Sequence, residues 1–377
     1  MAGYYLPSVK GGGPIQSIKN LVDNLSDEFN FYIVAADRDL GDDTPFDGIE
    51  TNNWINVGKA NVYYTNMKSL TWKKTECIIK DTQCKILYLN SFFAFKDSII
   101  PILLHKFNRI SDIKIVLAPR GQFSNGALGL KNCKKKIFIK FALLLNLYKR
   151  VSWHATTILE KEDIEKVFGT DISIEIAENL TPNYKNTCYS KNFIKKSGEL
   201  KLVYISRIHP MKNLLQVIEI LKRFDDKIDF NIYGPIEDEN YWEKCKKTIN
   251  QLNDNLEVNY HGLISNDKVN QIYKSNHVSI LLTLGENFGH SISEALIGGC
   301  PLIISDRTPW QNIASYKSGW DISLENSDLI AEKIKYFLEL DNDEYSIMSR
   351  NAFEYGRSRS NQRKDLNSYY KILDINN

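Results

Sequence analysis

The chain has 377 residues, 43% of them hydrophobic and 25% charged, with a formal net charge of +2. It is too long for one ordinary domain, carries material for two cores, and lacks the basic excess of a nucleic-acid binder. Its six cysteines (77, 84, 133, 188, 245 and 300) show no CxxC or Cys/His spacing, which argues against a disulfide frame or zinc site and for reduced thiols in a cytoplasm.

In chain order, "MAGYYLPSV" offers at most four or five residues of strand before a glycine loop, and "PIQSIKNLVDNL" (14–25) follows as an amphipathic helix. Candidate strands are "NFYIVAA" (30–36), "CKILYLN" (84–90), "IKIVLAP" (113–119), "WHATTI" (153–158) and "ISIEIAE" (172–178). A second series comprises "LKLVYIS" (200–206), "IDFNIYG" (228–234), "LEVNYHG" (256–262), "HVSILLT" (277–283) and "CPLIIS" (300–305). Short β-branched runs alternating with helical patterns, such as "NLLQVIEILKRF" (213–224), predict parallel sheets covered by helices on both faces. The polar, aperiodic stretch 184–199 separates the two series. The expectation is an amino-terminal Rossmann-like domain over 1–183, a linker over 184–199 and a second such domain over 200–356. A last helix in 357–377 would return to the first domain. Two doubly wound domains facing a cleft would bind ligand beyond the C-terminal strand ends.

The stretch "GENFGHSISEALIGGCP" (285–301) follows the buried strand 277–283. It predicts a loop, a helix from about Gly289 to Ile297, and a stop at Gly298 and Gly299. The first N–H groups, on Gly289, His290 and Ser291, would point at a ligand, and a diphosphate suits the positive helix end. Glu286 precedes the helix and Glu294 falls one turn inside it, so both carboxylates can reach one ligand at different heights. On spacing alone, two glutamates with no shared role are the plainer alternative. The strand 200–206 runs into "RIHPMKN" (207–213), where Arg207 and Lys212 would flank the same diphosphate as an Arg fork and a Lys point charge.

"YISRIHPMKNL", "YHGLI" and "ENFGHSISEALIGGCPLIISDRTPW", in that order, resemble family 4 of the retaining glycosyltransferases, which have the GT-B fold. "GGGPIQSIKNLVDNL" resembles that family's glycine loop and first helix. "YLNSFF", "APRG" and "WHATTILEKED" resemble a bacterial surface-polysaccharide branch of it. The resemblance implies that Glu294 binds the donor ribose and that Glu286, with the backbone of Asn287, Phe288 and Gly289, holds the donor sugar. Arg207 and Lys212 would neutralise the leaving diphosphate, with Gly12 and Gly13 closing over it. Asn90 and Arg120 occupy loops where other branches carry His and are placed on the acceptor side. Ser206 and Asn213 stand where many members have Gly, and "IAENL" (176–180) replaces a Pro-Asn-Gly turn.

The implied reaction moves a hexose or N-acetylhexosamine from a UDP- or GDP-sugar to a lipid-linked saccharide, as in O-antigen or capsule synthesis. It proceeds with retention, no metal and no cofactor, and the departing phosphate takes the acceptor proton. The alternative is a catalytically silent nucleotide-sugar-binding subunit of a polysaccharide assembly complex.

Other motifs allow rival readings. Asp37-x-Asp39 after a strand matches the way metal-dependent GT-A transferases hold a cation, although an acceptor-facing loop or a turn of the amino domain is the favoured reading. "GGGP" lacks the G-x-G-x-x-G order of a dinucleotide site. His154, inside a strand, is expected to be packed. His290 could serve in acid–base work, and Trp310 is either core or a sugar platform.

No stretch approaches the roughly 18 apolar residues of a membrane span, and no signal peptide is recognised, so the expectation is a cytoplasmic chain. Residues 113–159 contain nine Lys or Arg and no Asp or Glu. Within them "KKKIFIKFALLLNLYKR" (134–150) can set Ile137, Phe138, Phe141, Leu144, Leu145 and Tyr148 near one side. Either this is a helix packed on the sheet, or 131–150 docks on an anionic membrane on the inner face of the cell.

Overall fold

The computed structural model describes residues 1–124, 132–182, 184, 187–191, 193–360 and 363–373. The chain divides into two compact units, Met1–Pro182 with Gln362–Asn377, and Asn183–Asn361.

In the first unit, β1 (Phe31–Ala36) pairs in parallel with β3 (Ala60–Thr65), and β3 pairs antiparallel with β2 (Trp54–Val57). A second, parallel run has the order β4 (Ile86–Leu89), β5 (Lys114–Leu117), β6 (Val151–Ala155), β7 (Ile174–Ile176). The extended residues at the start of the chain join the two runs: Ala2 N–H donates to Val34 O, Ala36 N–H to Gly3 O, and the Met1 amino group to Tyr88 O. The hairpin β2–β3 has no counterpart among the expected strands. Its members are short and mixed in polarity, and β2 makes the sheet mixed rather than all parallel.

Side chains alternate across this sheet. Ile115 and Leu117 enter a core with Phe92, Phe123 and Trp153. Val116, on the other face, meets Leu21 and Leu25 of α1 (Gly13–Leu25). The helices α2 (Trp72–Asp81), α3 (Ile100–Lys106), α4 (Asn132–Leu144) and α5 (Ile158–Phe168) complete the wound unit.

The second unit is one six-stranded parallel sheet built from β8 (Glu199–Ile205), β9 (Lys227–Tyr233), β10 (Leu256–Tyr260), β11 (Val278–Leu281), β12 (Leu302–Ser305) and β13 (Gly319–Ile322). Its order is β10-β9-β8-β11-β12-β13. The central strands β11 and β12 are buried throughout and mostly apolar, as in a parallel sheet covered on both faces. Around it lie α6 (Leu214–Leu221), α7 (Glu239–Ile249), α8 (Asn266–Ser275), α9 (His290–Ile297), α10 (Ser327–Glu339) and α11 (Asn342–Ser360). Helix α12 (Arg363–Ile372) belongs to the first unit, where Tyr369 and Ile372 pack with Val116 and Ala177.

The described residues of 184–199, expected as a linker, lie with the second unit. Two lysines fasten them there: Lys191 Nζ donates to Tyr273 O and Asn276 O at the end of α8, and Lys195 Nζ to Leu338 O and Leu340 O at the end of α10. An ammonium at a helix C-terminus satisfies carbonyls that the helix leaves unpaired. Among the described residues no helix is long and apolar enough to cross a membrane.

Candidate active site

The C-terminal ends of β8 and β11 are neighbours in the second sheet, so the loops after them meet. After β8 the chain passes Arg207 and turns at 210–212, and Asn213 takes a left-handed conformation (φ 54°) before α6. After β11, residues 283–289 lead into α9. The two loops are stitched together by Met211 O, which accepts from Leu284 N–H (2.8 Å) and Thr283 Oγ1 (2.9 Å). The buried Tyr204 hydroxyl donates to Arg207 O and Lys212 O, holding the first loop from below.

Helix α9 starts where its sequence indicates. Gly289 is its N-cap with φ 83°, a left-handed conformation that favours glycine, and a Cβ there would stand 2.8 Å from Ile292 Cδ1, which would have to shift. Gly298 caps the other end.

The stitched loops bring Lys212 and Glu286 together at 2.5 Å, with both side chains largely buried. Burial would raise the Glu286 carboxyl, but the Lys212 ammonium and the Asn287 N–H hold it below its ordinary range. Glu294, one turn into α9, differs in having no hydrogen-bond partner among the described residues. Burial alone lifts it to about 7. Glu294 is partly buried, and a ribose diol would bring its carboxylate two donors.

Arg207 is half-exposed and paired with Glu237 at 2.5 Å, in the loop after β9. Glu237 is not among the residues expected from the sequence, where its position just beyond a strand end adjoining β8 is the available signal. Phe288 and His290 have ring centroids 4.8 Å apart. Trp310 is 2% exposed and donates from Nε1 to Phe288 O at 2.6 Å, so it braces the 286–289 loop and is not a sugar platform.

Gly12 and Gly13 lie in the first unit, at the start of α1. There too Asn90 and Arg120 come together at the ends of β4 and β5: Arg120, itself left-handed (φ 58°), donates from Nε to Asn90 Oδ1 at 2.7 Å. Its other nitrogens reach Tyr88 Oη and Asn179 Oδ1. The latter residue sits in the "IAENL" turn and is not among those expected. His154 is packed, as expected: its Nε2–H donates to Ala177 O, its Nδ1 accepts from Tyr88 Oη, and burial with the nearby Arg120 lowers it to about 3. The Asp37 and Asp39 carboxylates are both engaged, Asp37 with Arg38 and Asp39 with Ser8, Val9, Lys10 and Leu40.

Residues 188–355 match the family described as glycosyl transferases group 1. No curated protein matches the sequence at a significant level. Among solved structures the chain is similar to TarM of S. aureus, as a point mutant in complex with fondaparinux, alpha-GlcNAc-glycerol and UDP. There the identity is 17% and the TM-score 0.54, over 72% of this chain and 54% of that one, so this chain spans about half of TarM. It is similar to HepE of Anabaena in complex with UDP and glucose (14% identity, TM-score 0.66, 98% and 97% coverage). It is also similar to WaaG, a glycosyltransferase involved in lipopolysaccharide biosynthesis (12%, 0.66, 98% and 97%). At these identities the likeness is one of fold. The fold so defined is GT-B, two Rossmann-like units, and the match to the group 1 glycosyltransferase family falls within the second, over 188–355.

The elevated Glu294 gives a pH prediction. Under the donor-site reading of the sequence, ribose hydroxyls would donate to the ionised carboxylate, whereas the empty site favours the protonated acid, so binding a donor would expel a proton below pH 7. Affinity for an intact nucleotide-sugar should rise about tenfold from pH 6 to pH 8, as expected for a group titrating near 7. Calorimetry across that range checks it. Glu294→Gln should bind more weakly and with a flat profile, and a wild-type profile already flat would remove Glu294 from the donor site.

Proposed function

We propose that the chain is a retaining hexosyltransferase that moves a hexose or N-acetylhexosamine from a UDP- or GDP-sugar to a lipid-linked saccharide in surface-polysaccharide synthesis. The observation that carries this reading is the juxtaposition of the buried Lys212–Glu286 pair with the unpartnered Glu294 across the glycine-capped start of α9. UDP in the structures of TarM and HepE supports a nucleoside diphosphate donor, and the role of WaaG supports a surface-polysaccharide setting.

In this reading Glu294 accepts from the ribose, and the α9 N–H groups, Arg207 and Lys212 take the diphosphate. The growing charge on the leaving phosphate is met by donors already in place, which is where electrostatic stabilisation is most effective. Glu286, with the Asn287–Gly289 backbone, holds the sugar hydroxyls and orients Lys212. The departing phosphate oxygen accepts the acceptor proton as the new glycosidic bond forms on the same face. Asn90 and Arg120 address the acceptor, and Gly12 and Gly13 the diphosphate.

No step in this scheme calls for a divalent ion. Turnover of a nucleotide-sugar identified by thermal-shift screening should therefore persist within about twofold in excess EDTA. A donor at 100 times its Kd should stabilise the fold by about 2.7 kcal/mol. Loss of turnover in EDTA, restored by Mn²⁺ or Mg²⁺, would sink the metal-independent scheme.

A second element of the proposal is peripheral contact with an anionic membrane through 131–150, of which position 131 lies outside the described residues. Within α4 and just beyond it, Ile137, Phe141, Leu144 and Leu145 are between 52% and 76% exposed. They recur at the i, i+4, i+7, i+8 spacing of one helical stripe. Lys134, Lys136, Lys140, Lys149 and Arg150 are exposed with them. Phe138 and Tyr148, expected on the same side, instead pack into the core with Ile139 and Ala142. An apolar stripe framed by cations matches the interface of an anionic lipid surface.

A further inference from the structure

The loop 6–13 that leads into α1 is held by partners from distant parts of the first unit. Tyr64 Oη donates to Leu6 O, and the Lys10 ammonium pairs with Asp42. Most of the hold comes from Asp39, a buried residue of the loop leaving β1. Its carboxylate accepts from Ser8 Oγ at 2.5 Å, Val9 N–H at 2.9 Å and Lys10 N–H at 3.2 Å, as well as from Leu40 N–H at 2.8 Å. Burial would raise this carboxyl, but the donors of Ser8, Val9, Leu40 and Lys10 hold it below its ordinary range. Immediately beyond the held residues the chain has no slack. A Cβ on Gly11 would lie 2.7 Å from Ile15 Cδ1 and 3.1 Å from Tyr4 Cβ, and Gly12 has φ 69° as the N-cap of α1.

We propose that Asp39 is the positioning residue of the glycine-rich loop: by gathering Ser8, Val9 and Lys10 on one carboxylate it sets the backbone that presents Gly12 and Gly13 to the donor diphosphate. This rests on the donor-side reading of those two glycines given above. A carboxylate is suited to the task because its two oxygens accept several donors at once. An amide offers one oxygen, and its NH₂ would be turned toward N–H groups that also donate. Asp39 touches no reacting atom in this scheme; it acts through the loop.

Asp39→Asn separates this role from mere support of the fold. Amide hydrogen exchange should accelerate at least about tenfold at Val9 and Lys10, while β1 amides stay protected as in the wild type. Turnover of the screened nucleotide-sugar should fall roughly 10- to 100-fold in kcat/KM, since small displacements of positioning groups carry losses of that size. Gly12→Ala should lower turnover by itself, and adding Asp39→Asn to it should cost no more than about a further twofold, the signature of two residues acting through one loop. Should Asp39→Asn not fold, Ser8→Ala removes one of the donors and should show the same exchange pattern in weaker form. Unchanged exchange at Val9 and Lys10, or losses that multiply fully in the double variant, would overturn the proposal. Full turnover in Gly12→Ala would instead remove the glycine loop from the donor site, and with it the catalytic half of this role, while the exchange result still reads the hold itself.

Discussion

Lys212→Met is expected to reduce kcat by a factor on the order of 10² to 10³, the usual consequence of removing one preorganised donor from a developing anion. The same change leaves Glu286 buried without its ammonium. Breaking a buried ion pair from one side costs about 3–5 kcal/mol of stability, so the single variant alone cannot say whether it lost catalysis or structure. Glu286→Gln supplies the other side of the cycle. It keeps the volume, leaves the Lys212 ammonium buried without its carboxylate at a comparable cost in stability, and should lower kcat through the donor sugar. Combining the two removes both charges, and the double variant should regain most of the stability lost by Lys212→Met. Its turnover should remain at or below that of the single variants. Thermal unfolding and steady-state kinetics on the four proteins read both quantities. If turnover recovers along with stability, Lys212 is only the structural partner of Glu286 and the diphosphate assignment fails.

Binding to anionic vesicles is expected to fall by at least about tenfold when Lys134, Lys136 and Lys140 are changed to Glu. Each basic residue near an anionic surface contributes about 1 kcal/mol, and charge reversal both removes that attraction and adds repulsion. The apolar stripe makes a separate prediction. Phe141→Ser with Leu144→Ser should weaken binding even at low salt, because these exposed side chains lose interfacial burial worth roughly 25 cal/mol per Å². Sedimentation with vesicles of increasing anionic-lipid content, at low and high salt, distinguishes the two contributions. Wild-type binding that ignores lipid charge, or stripe variants that sediment with vesicles as the wild type does, would overturn the membrane reading.

The local chemistry of single segments was legible in the sequence. Largely apolar runs such as "LKLVYIS" and "HVSILLT" became β8 and β11 because a parallel strand covered on both faces is mostly apolar. The limits of α9 followed from Gly289 and Gly298, whose backbone roles depend on neighbours one turn away. The strands β2 and β13 were not legible: "WINV" and "GWDI" mix polar, glycine and apolar positions instead of forming an apolar run, and partners across the sheet hold them. Pairings between remote residues were beyond the sequence for the same reason. Lys212 meets Glu286 across 74 positions because β8 and β11 are adjacent, and strand order is a property of the packed sheet. Asp39 read as a possible metal ligand until its carboxylate was found among the donors of a loop 30 residues earlier. In α4 the apolar residues occupy more than one side of the helix, so periodicity could not say which stripe the core covers. Packing against Phe92 and its neighbours took Phe138, Ile139 and Ala142 inward and left Ile137, Phe141, Leu144 and Leu145 facing out.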